Sequence, residues 1–385
     1  MRIVLVVPGG VGADGVHEVI PALLSLIRRL AAAHDVLVVS TDQVTERSSY
    51  QLEGARVLAL GGRRRTVLWR LRAAGRAMSA IRAFRPDVIH AVWLGPVSTI
   101  AILAGAMVQV PVVASVGGGE LVALPRIGYG GARSRRGRTH AALALRRAAV
   151  VTAGSEWALE PVRRQRRDAR WLPLGAERDP DPEVGGAEEP GARAVGDRPL
   201  RLLVAASLNR VKGPEVVLGA LARARASLGD ALELEWLGED TLAGSTAALA
   251  RALRVDDIVS LPGFRPHAAV PEAWRRADLA IQGSHHEGQG VAVLEAAMAG
   301  VPTVGTAVGI VAELAALEPP AATAVRVGDA AALGDAIVAL ARDPERRARV
   351  GRAARAWAEA RDADWTAAAF ASVYAEVTAR RGWDR

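Results

Sequence analysis

Two glutamates, Glu287 and Glu295, bracket the segment of this sequence whose residue types most clearly indicate chemistry. An apolar run leads into the segment, a glycine-containing turn follows, and a helical pattern ends at Gly300, as in a strand, turn and helix. Backbone N–H groups at the start of such a helix attract anions, because that end carries about half a positive charge. The pattern therefore predicts a cradle for a diphosphate. Its candidate backbone donors are Gly288, Gln289, Gly290 and Val291.

The two carboxylates would serve different parts of a diphosphate-containing ligand. Glu295 follows Gly290 by five residues, which is roughly 7 to 8 Å along a helix and about the distance from a pyrophosphate to a ribose diol. Glu287 stands at the helix entrance and would face the group attached to the far phosphate. The alternative is that both glutamates are solvated surface charges, which leaves Gly288 and Gly290 beside Glu287 unexplained.

A single lysine, Lys212, occurs among the 49 Lys and Arg residues, and it lies close to the single asparagine, Asn209. Lys212 and Arg210 follow an apolar strand pattern, and Gly213 begins a turn into the next helix. Because open α/β sheets bind ligands at the carboxyl ends of their strands, this ammonium and guanidinium could neutralise a diphosphate leaving group. The alternative is the chance survival of one lysine codon under GC-rich coding. Asn209 is interpreted as a turn former.

The elements that would position these residues follow an α/β order. Strand-like and helical patterns alternate through the first half, and the alternation restarts after a stretch rich in Pro, Gly and Glu. We predict a first domain over 1–177, a linker over 178–199 and a second domain over 200–365, with 366–385 packing back on the first. Strands are predicted at Ile3–Val7, Val36–Ser40, Arg56–Leu60, Val88–Val92, Val112–Val116 and Val150–Ala153, then at Leu200–Ala205, Leu232–Leu237, Ile258–Leu261, Leu279–Gln282 and Thr303–Gly305.

Composition excludes several classes of protein. The chain is 50% apolar and 23% charged, which is typical of a globular protein. The absence of cysteine excludes a disulfide scaffold, a thiolate zinc site and a cysteine nucleophile. Three Phe and three Tyr disfavour a stacking platform for single-stranded nucleic acid, and no nucleic-acid partner is expected. The uncharged stretch between Asp87 and Glu120 contains Pro96 and Pro111, so it predicts strand, helix and strand rather than a membrane span.

Positive charge is concentrated in the first half of the chain. Residues 1–175 contain 25 Arg against 11 Asp and Glu, a net charge of +14, whereas the remainder carries −6, which sums to +8. Such a surface would attract anionic lipid or an anionic acceptor. We therefore expect a cytoplasmic protein with peripheral contact at the inner membrane face. A solvated face of an arginine-rich protein is the alternative. The basic clusters are 63–65, 133–138 and 163–167.

Glu287 and Glu295, the Arg210/Lys212 pair, the turn at 172–175 and the Gly-rich turn at 9–12 together resemble the retaining family 4 glycosyltransferases of the GT-B fold. The resemblance implies two facing Rossmann-like domains, with a C-terminal helix crossing back to the first. It implies a nucleoside diphosphate sugar as the donor, with UDP-sugars favoured over GDP-sugars, and no cofactor or metal. The phosphate oxygen of the departing nucleotide would help to deprotonate the acceptor hydroxyl.

The same resemblance implies roles residue by residue. Arg210 and Lys212 would bind the diphosphate, Glu287 the sugar hydroxyls and Glu295 the ribose. The remaining donor-binding candidates are Phe264 and Arg265 beside the base, the cradle residues above, and Gly10 and Gly12 of the first domain.

The acceptor side departs from the family pattern. The family often has a histidine in the segment matching 115–120, where this chain has Gly117. Either backbone N–H groups substitute for that histidine, or the acceptor chemistry differs. Gln289 replaces a common aromatic residue, and Leu174 replaces the asparagine of a Pro-Asn-Gly turn. The acceptor-side candidates are His90, for which a structural role is the alternative, and Gly117, Gly118 and Glu120.

The leading hypothesis is a retaining transfer of a hexose to a hydroxyl acceptor, with a lipid-linked or cell-envelope glycan expected as the acceptor. A GT-B-fold sugar-nucleotide epimerase and a non-catalytic sugar-nucleotide-binding protein are the alternatives. A phosphorylase is disfavoured because Lys212 is already assigned to phosphate. A dinucleotide oxidoreductase is suggested by Gly9 to Gly12, which lack a full G-x-G-x-x-G motif.

Overall fold

The computed structural model describes residues 1–43, 46–61, 67–178 and 198–381, with only the backbone at 67–71 and 381. The chain divides into two compact units. Unit 1 comprises Met1–Leu174 and Ala363–Arg385, and unit 2 comprises Gly175–Asp362. The sequence predicts that the first domain ends at 177, where unit 1 ends at Leu174, and that the returning segment begins at 366, where it begins at Ala363. Nearly all of the predicted linker and the whole of the basic cluster 63–65 lie outside the described residues.

Unit 1 is built on an eight-stranded sheet in the order β3-β4-β2-β1-β5-β6-β7-β8, in which only the β3–β4 pair is antiparallel. Most of its strands are buried on both faces, which explains their unbroken Val and Ile runs. The elements in chain order are β1 Arg2–Val7, α1 Pro21–Ala33, β2 Asp35–Ser40, β3 Ser48–Leu52, β4 Ala55–Ala59, α2 Val67–Phe84, β5 Val88–Val92, α3 Pro96–Val108, β6 Val112–Val116, α4 Arg135–Arg147, β7 Val150–Ala153, α5 Glu156–Arg163 and β8 Arg170–Trp171.

Unit 2 is built on a six-stranded, fully parallel sheet in the order β11-β10-β9-β12-β13-β14. Helices cover both of its faces, as a parallel sheet requires. The elements in chain order are β9 Leu200–Ala205, α6 Pro214–Leu228, β10 Leu232–Leu237, α7 Ser245–Ala252, β11 Val259–Gly263, α8 Val270–Arg276, β12 Leu279–Gln282, α9 Val291–Met298, β13 Thr303–Thr306, α10 Ile310–Ala315, β14 Thr323–Val325, α11 Ala330–Arg342 and α12 Pro344–Glu359.

The last helix, α13 Ala363–Arg381, belongs to unit 1. Together with α1 it covers one face of the eight-stranded sheet, while α2, α3, α4 and α5 cover the other. Phe370 and Tyr374 are the large buried anchors of α13, and Arg170 of β8 holds its outer side through a bidentate pair with Glu376 at 2.6 and 2.7 Å. Trp383, a further aromatic residue of the predicted segment 366–385, lies outside the described residues.

Within the described ranges, no helix combines the length and the apolar character that crossing a bilayer requires.

Candidate active site

The candidate donor residues of unit 2 lie where the strand order of its sheet reverses. Strands β9 and β12 are neighbours, with β10 and β11 beyond β9 and with β13 and β14 beyond β12. Open α/β sheets bind ligands at such a switch point, outside the carboxyl ends of the strands. Lys212 follows β9, and Glu287 follows β12. The two segments predicted from the sequence therefore meet at the crevice where this fold places a ligand.

A short 3-10 turn over Arg210–Lys212 presents the two cations. The Asn209 side chain caps the turn, and its Oδ1 accepts hydrogen bonds from the backbone N–H groups of Val211 at 3.1 Å and Lys212 at 3.2 Å. The prediction of Asn209 as a turn former is confirmed, and its cap fixes the backbone of the turn that carries Lys212. Arg210 is exposed, and Lys212 is partly buried.

Lys212 and Glu287 are in direct contact. The Lys212 Nζ donates to Glu287 Oε1 at 2.6 Å, and the Ser284 hydroxyl donates to the same oxygen at 2.6 Å. The Glu287 side chain is only 11% exposed, so this pair is better shielded from solvent than a surface ion pair. The structure thus brings together two residues to which the sequence assigned separate parts of a ligand.

Three neighbours hold the loop between β12 and α9 in place. The His285 N–H donates to the Val211 carbonyl at 2.8 Å, and the Thr306 hydroxyl donates to the Ser284 carbonyl at 2.6 Å. At the far end of the loop, the Ile310 N–H donates to the Gln289 carbonyl at 2.6 Å. The turn after β9, the end of β13 and the start of α10 therefore fix the backbone that carries Glu287.

Glycine is required at two of these contacts. Gly213 has φ +61°, and a Cβ there would overlap the Gly283 carbonyl oxygen. Gly309 has φ +56°, and a Cβ there would lie 2.8 Å from the Cβ of Glu287 and would overlap the Gln289 carbonyl. Side chains at either position would push the loop away from β9 or from α10.

The predicted diphosphate cradle forms the start of α9. Gly290 caps the helix in the left-handed region with φ 97°, a conformation that favours glycine. Gly288 and Gln289 are buried just before it, and Val291 is the first helical residue. Helix geometry therefore directs the dipole of α9 toward the loop that carries Glu287, as an anion site requires.

Glu295 lies one turn further along α9 and pairs with a residue from another loop. Its Oε1 is 3.0 Å from the Nε2 of His267, in a 3-10 turn over His267–Ala269. The hydrogen bond that His267 donates to the Glu295 carboxylate raises the pKa of His267, although partial burial opposes the shift and the Glu177 charge adds to it. Phe264, which is 44% exposed, and Arg265 occupy the same loop. The loop predicted to lie by the base is thus tied to the carboxylate predicted to bind the ribose.

The His267–Glu295 pair predicts a pH-dependent stability difference. The pKa of His267 is higher in the folded than in the unfolded protein. The pair therefore contributes its full stabilisation at a pH below the unfolded-state pKa, and this stabilisation is lost as the pH rises through the folded-state pKa. The melting temperature of wild type should exceed that of His267→Gln by more at pH 6 than at pH 9, as measured by differential scanning calorimetry. Glu295→Gln should reduce the same pH dependence. An equal difference at both pH values would contradict the pairing.

In unit 1 the Gly-rich turn after β1 is held by polar side chains. Gln43 Oε1 accepts the Val11 N–H at 2.9 Å, and the Tyr50 hydroxyl donates to the Val11 carbonyl at 2.5 Å. Gly10 has φ +82°, and a Cβ on Gly12 would overlap the His17 carbonyl. Both glycines are thus explained by the turn itself. The contact with a donor assigned to them stays a prediction.

His90 does not fit the acceptor role predicted for it. The ring is 1% exposed, with Nδ1 2.7 Å from the Tyr374 hydroxyl and Nε2 2.7 Å from the Ser115 hydroxyl. Burial lowers its pKa to about 3. The histidine therefore links β5, β6 and α13 inside unit 1, and the structural alternative describes it better.

Glu120 organises the loops that follow β5 and β6. Its Oε1 accepts the N–H groups of Leu94 at 3.1 Å and Gly117 at 2.9 Å, and its Oε2 accepts that of Gly118 at 2.6 Å. Desolvation nevertheless raises the pKa of Glu120. In this structure Glu120 accepts hydrogen bonds from the N–H groups of both Gly117 and Gly118. The substitution of backbone N–H groups for the family's histidine stays a prediction.

Sequence reasoning missed several residues that shape these sites. Ser284 stands beside a recognised motif, and its separation of three residues from Glu287 was the available signal. His267 and Thr306 carried no local signal, since each acts on a residue distant in the sequence. Within the described part of the chain, no three His, Asp or Glu side chains are grouped as a metal site would require. Independence from metal stays a prediction.

Two family models match the chain. "Glycosyl transferases group 1" matches residues 188–357, which include the whole of the site in unit 2, and "Glycosyl transferase 4-like domain" matches residues 19–175. Two solved structures share the fold at low identity. The Anabaena protein HepE in complex with UDP and glucose has a TM-score of 0.74 and 16% identity, covering 98% of this chain and 100% of that one. Sucrose-phosphate synthase from Thermosynechococcus elongatus has a TM-score of 0.76 and 18% identity, covering 98% and 99%.

Curated relatives extend the comparison along the sequence. A D-inositol 3-phosphate glycosyltransferase of Xylanimonas cellulosilytica is 33% identical over 189 residues, which are 48% of this chain and 44% of that protein. A glycogen synthase of Mycobacterium tuberculosis is 30% identical over 416 residues, covering 98% of this chain and 93% of that protein. With both family models matching and with two α/β units like those of its structural neighbours, the chain belongs to the family 4 glycosyltransferases, the glycosyl transferases group 1, and has the GT-B fold.

Proposed function

We propose that this glycosyltransferase moves a hexose from a nucleoside diphosphate sugar to a hydroxyl acceptor with retention at the anomeric carbon and without a metal. The observation that carries the proposal is the contact of Lys212 with Glu287 at the switch point of unit 2. It provides a cation for a diphosphate and a carboxylate for sugar hydroxyls at one position, beside the start of α9.

The geometry of the pair suits both tasks at once. Among the described residues, the contacts of Glu287 with Lys212 and Ser284 both go to Oε1, which leaves Oε2 to accept a hydrogen bond from a sugar hydroxyl. An ammonium has three N–H donors, so Lys212 can keep Glu287 and still donate to a phosphate oxygen. Arg210, exposed on the same turn, would add a second cation. Glu295 would take the ribose, with Phe264 and Arg265 near the base.

The cations would act where charge develops. In the proposed transfer, the bond from the anomeric carbon to the phosphate oxygen breaks, and the acceptor oxygen bonds to the same face of that carbon. The acceptor proton passes to the departing phosphate. Lys212, Arg210 and the N-terminal end of α9 would stabilise the negative charge left on the diphosphate, which lowers the barrier because these groups are already in place.

A UDP-sugar is the favoured donor. The Anabaena neighbour is a complex with UDP and glucose, which supports a uridine nucleotide for this chain by analogy of fold alone. The sugar-nucleotide epimerase and the non-catalytic binding protein are the competing functions, and no feature of the described site favours either of them.

The acceptor is proposed to be a lipid-linked or cell-envelope glycan that approaches the basic surface of unit 1 at the membrane. Exposed arginines of α4 and of the turn before it support this proposal, and α3 beside them exposes Leu103 and Met107 at 52% and 45%. The cluster 163–167 contributes less positive charge, because Arg163, Arg164 and Arg166 pair with carboxylates.

A transfer assay would test the proposed function. Purified protein is incubated with UDP- and GDP-hexoses and with water-soluble or lipid-linked glycan acceptors, and the product linkage is assigned by NMR. We expect a product with the donor's anomeric configuration, formed in excess chelator and preferentially from a UDP-sugar and a lipid-linked acceptor. An inverted product or a requirement for divalent metal would contradict the proposed mechanism. Interconversion of donor sugars without transfer would favour the epimerase.

A further inference from the structure

Trp93 occupies a strained position at the switch point of the sheet of unit 1. The strand order reverses between β1 and β5, and Trp93 is the first residue after β5. Its φ of +78° lies in the left-handed region, which a bulky aromatic residue rarely adopts. Backbone strain of this kind persists only where the surroundings enforce it, and it is concentrated at sites of function.

The surroundings that enforce the position of Trp93 are specific. A Cβ on Gly117 would overlap Nε1 and Cδ1 of the indole, so the ring occupies the space that a side chain at 117 would need. The Trp93 N–H donates to the Ser115 carbonyl at 3.0 Å, which holds its backbone against β6. Glu120 binds the N–H groups of Leu94 and Gly117 with a single oxygen, and so closes the loop after β5 onto the loop after β6.

The indole N–H is a polar group at this edge that these contacts do not use. Glu120 occupies the N–H groups of Gly117 and Gly118, and His90 is buried. No described residue supplies an acceptor for the indole N–H, and the ring is partly buried where it packs against the apolar clusters on both faces of the sheet. An indole combines an apolar face with one N–H donor, which matches the C–H face and the hydroxyl rim of a pyranose.

We propose that Trp93 is a substrate-positioning residue of unit 1 that binds a pyranose ring of the acceptor, with its face against the ring and its N–H donating to a sugar hydroxyl. That the bound pyranose is the acceptor of the transfer rests on the proposed function. The pyranose subsite itself is defined by Trp93, Gly117 and Glu120, and it can be tested without transfer. It implies that the accepting hydroxyl belongs to a sugar.

Ligand-observed saturation-transfer NMR tests this subsite directly. The probes are the methyl α- and β-pyranosides of glucose, galactose and mannose, added to the full-length protein without nucleotide. Wild type should bind at least one of them. Trp93→Ala should lose that signal, and Trp93→Phe, which keeps an aromatic face without the N–H, should weaken it roughly tenfold. Trp357→Phe, which alters a ring packed on Arg361 in unit 2, is the matched control and should bind as wild type does.

A second variant tests the packing without altering the indole. Gly117→Ala should expel the ring from its position and lose the same pyranoside signal, with circular dichroism verifying that the protein is folded. Signals that persist in Trp93→Ala but vanish in Glu287→Ala would place sugar binding in unit 2 and overturn the proposal while leaving the proposed function intact. A wild type that binds none of the pyranosides would also overturn it. In a transfer assay, Trp93→Phe should raise the acceptor KM and leave the donor KM unchanged.

Discussion

Lys212→Ala is expected to lower kcat for sugar transfer by about 10²- to 10³-fold, the range found when one preorganised donor to a developing anion is removed. The ammonium lies 2.6 Å from Glu287 and would be the most shielded cation at the diphosphate. Its loss also leaves the largely buried Glu287 carboxylate with Ser284 as its remaining described side-chain partner, which weakens the grip on the sugar. Single-turnover transfer with a UDP-hexose would measure the effect.

Arg223→Ala is the matched control for this prediction. Arg223 also pairs with a carboxylate in unit 2, at 2.8 Å from Asp335, but both side chains are more than half exposed. An exposed pair of this kind contributes little to stability, because solvent screens it, and it lies outside the site described above. Arg223→Ala should therefore transfer as wild type does. A Lys212→Ala enzyme as active as the control would refute the assignment of Lys212 to the diphosphate.

Gly213→Ala is expected to have the largest effect on stability, a loss of roughly 2 to 5 kcal/mol in the free energy of unfolding. One part of the loss is the cost of the left-handed region for alanine, since φ is +61°. The other part is the overlap of the new methyl with the Gly283 carbonyl, which would separate the turn at 210–212 from the loop that carries Glu287. Urea denaturation would measure the stability, and calorimetric titration with UDP would reveal weakened binding.

Gly244→Ala separates the two causes. Gly244 also precedes a helix of unit 2 in the left-handed region, with φ +79°, but nothing lies within 4 Å of a Cβ built there. It should lose only about 1 to 2 kcal/mol, the conformational part, and should bind UDP as wild type does. Equal losses of unfolding free energy in the two variants would mean that the close approach of residue 213 to the Gly283 carbonyl does not add to the cost of Gly213→Ala.

Much of the fold could be predicted because its strands are buried on both faces. The predicted bounds of β5, β6, β7, β9, β10 and β12 agree with the structure. Most of these strands are nearly continuous apolar runs between helices, which have few other interpretations, and β10 alternates apolar residues with glutamate. The strands that were missed lack that pattern. β3 is largely exposed, β8 has two residues, and β14 has three.

The site divides in a similar way. The cradle at the start of α9 is local, so its glycines and Glu287 could be recognised in one short segment. The contact of Lys212 with Glu287 depends on β9 and β12 being neighbours, which strand patterns alone do not specify. The contact of His267 with Glu295 and the packing of Trp93 against Gly117 depend on the paths of loops, which the sequence pattern does not specify. The structural role of His90 could not be recognised, because a polar residue within a strand pattern gives no sign of a partner on α13.

The position of α13 has a consequence for synthesis on the ribosome. This helix completes one face of the eight-stranded sheet, but all of unit 2 precedes it in the chain. Domains tend to fold as they emerge during translation, so unit 2 can finish while that face of unit 1 is still bare. Until Phe370 and Tyr374 arrive, His90 has no Tyr374 hydroxyl on its Nδ1 and the apolar face around it lies open to water. The nascent chain therefore passes through a stage in which its second unit can be complete while the part of its first unit that α13 covers is still exposed to water.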